Sequence, residues 1–153
     1  MKRASLMYLL LIITLALPSV GCFSDEAEEE EPVTPYIVTE GTGDFTPALM
    51  PPDRPMELRG EFGCSYYCEP DVDIFAVGYP TAGTYSVKVR YNVKDIGGTY
   101  EYRDAEGNLL SALSTTVAYE DTVEDETTRF VSITQGSYYS YAEYDYAVEI
   151  TKK

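Results

Sequence analysis

Apolar and polar residues alternate along most of the chain beyond residue 55. In the stretch 71–93, Phe75, Val77 and Tyr79 share one side of a first run. Tyr85, Val87, Val89, Tyr91 and Val93 then alternate with Ser86, Lys88, Arg90 and Asn92 in a second. Period two is the signature of a half-buried β-strand. Thr81-Ala82-Gly83 between the runs suits a tight connection, so the stretch reads as a hairpin. Met56, Leu58 and Phe62 alternate with Glu57, Arg59 and Glu61 in an earlier strand. Tyr100 and Tyr102 oppose Thr99, Glu101 and Arg103, and the turn residues Asp104 to Asn108 lead into an outgoing run, 109–113. Residues 114–128 read as irregular and acidic, and 130–133 as a strand. Tyr144, Tyr146, Val148 and Ile150 face away from Glu143, Asp145 and Glu149 in the last strand. No helical period survives beyond the first 21 residues. Seven or eight short strands over 56–153 predict an all-β protein, a small antiparallel β-sandwich large enough to bury its own core.

The pattern before residue 56 is different. Met1-Lys2-Arg3 is basic and Leu6 to Leu17 is a twelve-residue apolar run. That run is shorter than the roughly 20 residues a membrane-spanning helix needs, and a basic start with a short apolar core describes a secretory signal over 1–21. Its ending, Ser19-Val20-Gly21-Cys22, resembles the lipobox of bacterial lipoproteins, although leucine is the usual residue where Ser19 stands. The resemblance implies cleavage before Cys22 and a lipid on its thiol. The alternative is an ordinary signal peptide with an incidental cysteine. Phe23 after the cysteine, rather than Asp, favours the outer membrane over the inner by the sorting rule of some Gram-negative bacteria. Asp25 to Glu31 holds six acids in seven residues, and six of the nine prolines fall between 23 and 55. Self-repulsion and proline stiffness make 22–55 a tether, with Tyr36-Ile37-Val38 as a β-prone island able to dock as an edge strand.

Three cysteines leave one over in an exported chain. With Cys22 lipidated, Cys64 and Cys68 remain as a candidate disulfide in an oxidising compartment. In an extended strand they would stand about 13 Å apart, so the disulfide requires Ser65-Tyr66-Tyr67 to turn. The net charge of −15 repels nucleic acid and anionic headgroups.

Several motifs resemble the bacterial pre-peptidase C-terminal domain: Asp71-x-Asp73-x-Phe75-x-Val77, Ala82-Gly83-Thr84-Tyr85-Ser86-Val87, Tyr102 to Leu109, and Tyr146-Ala147-Val148-Glu149-Ile150. The resemblance runs from about Leu58 to Ile150. It implies a jelly-roll-like sandwich appended to exported proteins, without catalysis of its own. The family's second Gly-Thr-Tyr strand is compressed here to Gly136-Ser137-Tyr138-Tyr139, and no peptidase precedes the module.

The chain has no histidine. The usual general base, the commonest metal ligand and every Ser-His-Asp arrangement are therefore absent. A carboxylate pair could still support a hydrolase, but no pair stands out, so the expectation is a protein that is not an enzyme. Glu69, Asp71 and Asp73 are candidate calcium ligands, since hard oxygens gather there at a strand entrance. The alternative is cap chemistry, with Asp accepting backbone N–H bonds. The acids at 120–126 read as a solvated loop. Of fifteen tyrosines, Tyr66, Tyr67, Tyr138, Tyr139 and Tyr141 could form an exposed patch for a protein or glycan partner, or simply pack at a strand edge. The expected whole is an envelope lipoprotein with a non-catalytic binding or structural module. A calcium-stabilised adhesion module is the main alternative.

Overall fold

Ten strands carry the alternating pattern in the computed structural model, which describes residues 32–41, 45–62, 71–92, 98–136 and 145–153. In chain order they are β1 (Tyr36–Thr39), β2 (Phe45–Leu49), β3 (Met56–Gly60), β4 (Val72–Tyr79) and β5 (Gly83–Asn92). The second half supplies β6 (Thr99–Arg103), β7 (Leu109–Ala112), β8 (Tyr119–Val123), β9 (Thr127–Thr134) and β10 (Tyr146–Lys152). The first sheet has the order β1-β3-β10-β5-β8 and the second β2-β4-β9-β6-β7. Their inner faces pack together. Phe75 and Val77 of β4, Val131 and Ile133 of β9, Val87 of β5 and Val148 of β10 are all at most 1% exposed. The β-sandwich predicted from the alternation is therefore present.

Three features depart from the expectation. First, the sheets are mixed rather than purely antiparallel, because β1 runs parallel to β3 and β2 parallel to β4. Both extra strands come from the stretch assigned to the tether. Val38 and Ala48 pack against the core and Met50 is buried within it, so β1, β2 and Met50 belong to the sandwich. Strands of four and five residues broken by Pro47 and bounded by glycine are too short to display a period. The β-prone island at 36–38 does dock at a sheet edge.

Second, β4 and β5 are not a hairpin. They lie in opposite sheets, and the residues between them arch across the core. Tyr79 and Tyr85 meet edge to face, 4.3 Å apart, beneath that arch. A hairpin and an arch share the same local pattern of two alternating runs about a turn, and only long-range packing separates them. Gly83 is needed at the arch: its φ is +152°, and a Cβ there would stand 2.7 Å from Lys152 Cε.

Third, 114–128 is not wholly irregular. It contains β8, which pairs antiparallel with β5 from Gly83↔Val123 to Val87↔Tyr119. The pattern is obscured because Asp121 occupies an inward position.

Candidate functional site

Cys22, Cys64, Tyr66, Tyr67, Cys68 and Glu69 lie outside the described residues, as do Tyr138, Tyr139 and Tyr141. Asp71 and Asp73 are described, and they differ. Asp71 Oδ1 accepts the N–H of Val72 at 3.0 Å, the cap role open to an aspartate where a strand begins. Asp73 falls in phase with Phe75 and Val77, so β4 carries it into the sandwich, where it is 7% exposed. Among the described residues, no three His, Cys, Asp or Glu are placed to hold a metal ion.

Asp73 belongs to a buried cluster assembled from three strands and a loop. The Tyr146 hydroxyl, brought by β10, lies 2.8 Å from Asp73 Oδ2 and 3.2 Å from Glu40 Oε2. Glu40 follows β1, and its other oxygen accepts the N–H of Glu61 at 2.7 Å. Gly60 at the end of β3 makes room: a Cβ there would run into the Tyr146 hydroxyl and the Glu40 carboxylate. Asp145 lies alongside at 5% exposure and accepts the N–H of Phe62 at 2.9 Å. Among the described residues, no lysine or arginine forms an ion pair with Asp73, Glu40 or Asp145. One phenol has one proton to share between two carboxylates. Burial, followed by the hydrogen bond to Glu40, pushes the Asp73 carboxyl up to about 7, against the opposing bond from Tyr146. A proton kept on Asp73 lets all three groups be satisfied.

A second cluster sits at the other end of β4. The Tyr102 hydroxyl is 2.9 Å from the Tyr79 hydroxyl and 3.0 Å from Asp121 Oδ2. A relay from Tyr79 to Tyr102 to Asp121 uses each phenol proton once. Arg129 Nε donates to the same Asp121 oxygen at 2.8 Å, and the pair is largely buried, with side chains 15% and 8% exposed. Burial holds both phenols above the usual tyrosine range. The acids at 120–126, expected to be solvated, therefore divide. Asp121 turns inward to Arg129, while the neighbouring Glu120 pairs with Lys153 at the surface.

A pocket of about 330 Å³ lies elsewhere, where the 52–55 turn meets the end of β10. Each cation at its rim already has a partner: Arg54 has Asp53, Lys152 has the Thr81 hydroxyl and Lys153 has Glu120.

The comparisons reach no family. No family model matches the chain, and no curated protein matches it. Among solved structures it is similar to the pre-peptidase C-terminal domain of a collagenase from Bacillus anthracis. That match has 12% identity and a TM-score of 0.40, covering 80% of this chain and 98% of that one. A β-glucosidase from Paenibacillus barengoltzii is similar at 13% identity and a TM-score of 0.28, over 77% of this chain but only 13% of the enzyme. The sandwich itself rests on the strand pairing given above.

The outer faces of the two sheets are unlike each other. On the first sheet, the face away from the core carries ion pairs: Glu57 with Arg59 on β3, and Glu149 of β10 with Arg90 of β5 at 3.3 Å. On the second sheet, β2 presents Phe45, Pro47 and Leu49 outward. The register sets these beside Ile74, Ala76 and Gly78 of β4, and beyond them lie Ser132, Phe130 and Thr128 of β9. None of these nine residues is charged. Phe45 is 57% exposed and Leu49 64%, and the Phe45 and Phe130 rings stand 6.5 Å apart, tilted by 49°. A water-facing sheet surface is normally polar. The sign of this face was present in the sequence, since β4 is apolar or small at every position from Ile74 to Tyr79.

Proposed function

We propose that the chain is a bacterial envelope lipoprotein whose β-sandwich is a non-catalytic binding module. The lipobox-like ending at Cys22 and the acidic residues after it support the anchor and tether. The uncharged aromatic face over β2, β4 and β9 supports binding, because contiguous exposed apolar surface in a soluble domain marks an interaction site. That face is the observation on which the reading chiefly rests. The close carboxylates argue for structure rather than turnover: Asp73 and Glu40 share the Tyr146 hydroxyl, and Asp73 is closed off from solvent.

Mass spectrometry of the chain from a native bacterial membrane tests the anchor, with a diacyl or triacyl Cys22 peptide expected. An unacylated Cys22 in a processed chain refutes it. A calcium-stabilised form of the same module keeps Glu69, Asp71 and Asp73 as ligands. It predicts a melting temperature that falls with EDTA and recovers with added calcium, and an unchanged temperature removes it.

A further inference from the structure

The proposed binding role leaves the ligand's chemistry open, and the second sheet's outer face restricts it. We propose that this face binds a neutral polysaccharide, which stacks on Phe45 and Phe130 and hydrogen-bonds the hydroxyls of β9. The proposal rests on the binding-module reading and sharpens it.

Charge is the first restriction. The panel is uncharged in a chain of net charge −15. A polyanion is repelled by the molecule as a whole, and so is a second copy of this chain. A polycation is drawn to the acidic remainder rather than to the neutral panel. A neutral partner is the one for which this surface carries no electrostatic penalty.

Relief is the second restriction. Ala76 and Gly78 form a low floor along β4. Phe45 and Leu49 stand on the β2 side, with Leu49 Cδ1 leaning to 3.2 Å from where a Gly78 Cβ would be, and Phe130 stands across from Ala76 on β9. The Phe45 and Phe130 rings stand 6.5 Å apart, tilted by 49°, on the strands either side of β4. Strands spaced about 4.8 Å apart make such a panel wide enough for an extended chain one ring across.

Polarity along one margin is the third. On β9, Thr128, Ser132 and Thr134 point to the same side as Phe130. On β6 the next outward residues are Glu101 and Arg103, which neutralise each other at 2.6 Å. A pyranose polymer has apolar C–H faces for aromatic rings and hydroxyl edges for such a margin. A purely apolar protein surface would leave the hydroxyl file unmatched.

The test uses the full chain in detergent, mixed with insoluble cellulose, chitin and a β-1,3-glucan, with the protein left in the supernatant measured. Depletion is expected with at least one polymer, and it should be unchanged from low to high salt, since screening acts on charge alone. Phe45→Ala and Phe130→Ala should each weaken retention roughly tenfold, the scale of one lost aromatic contact. Lys88→Ala, on the opposite sheet's face, should have no effect. Thermal melts confirm that each variant is folded, and Phe45 is exposed enough that its truncation spares the core. Failure of all three polymers to deplete the wild-type chain overturns the proposal, and so does retention unaltered by both phenylalanine variants. A photo-crosslinking side chain in place of Phe45, in living cells, separates the two levels of failure. A protein adduct means that the panel binds protein, so the polysaccharide proposal falls while the binding module stands. No adduct and no polymer binding overturn both.

Discussion

The two ends of β4 each hold a buried carboxylate against a buried phenol, and they balance it differently. At the Tyr79 end, Asp121 receives Arg129 and the Tyr102 hydroxyl on one oxygen. At the Asp73 end, Tyr146 stands between two carboxylates, with no ion-paired cation among the described residues. A guanidinium supplies the missing charge in the first case. In the second a proton does so, because a buried carboxylate without a counter-charge is costly to keep ionised. One end of the sandwich is therefore held by an ion pair, and the other by a carboxyl whose burial raises it to about 7.

Removing the cation should have the largest effect. Arg129→Met leaves Asp121 buried beside two phenols without its counter-charge, and should cost about 3–5 kcal/mol in urea unfolding. The double variant with Asp121→Asn should recover a large part of that loss. If Arg129→Met is neutral, the two ends are not different in kind.

The next effect is one of pH. In the folded chain Asp73 keeps its proton up to about pH 7, whereas an unfolded aspartate loses it near pH 4. Between those values the folded state binds more protons, so stability falls as pH rises through the window. The contribution is complete below about pH 4 and gone above about pH 7, with an upper bound of about 4 kcal/mol. Asp73→Asn should flatten this part of the unfolding profile. Identical slopes in wild type and Asp73→Asn would defeat the assignment.

A smaller effect should follow from crowding the same end. Gly60→Ala pushes a methyl group towards the Tyr146 hydroxyl and Glu40, and should cost about 1–3 kcal/mol as an overpacked core does. A stability change within about 0.5 kcal/mol would mean that this cluster yields easily.

Much of the fold could be read from the sequence because burial follows the period-two rule so closely: Phe75, Val77, Tyr85, Val87, Tyr102, Val148 and Ile150 are all buried as their phase requires. Pairing was less accessible. Nothing local tells a hairpin from an arch at Thr81 to Gly83, and β1 and β2 gain their order from β3 and β4 rather than from their own pattern. The clusters were legible in part. Asp73 and Asp121 occupy core-phase positions, a readable sign of burial, but Glu40 reaches Tyr146 across 106 positions of sequence. No spacing rule covers such a distance.

The placement of β10 bears on how the molecule is made. It lies in the middle of the first sheet, bonded to β3 on one side and to β5 on the other, yet it is the last strand in chain order. Until residues 146–152 have emerged, β3 and β5 have no common neighbour and expose raw edges to anything nearby. The sheet therefore closes late, through contacts of long sequence separation, and its folding should be slow. A chain interrupted before residue 146 would lack the keystone of that sheet and would be left open to proteolysis.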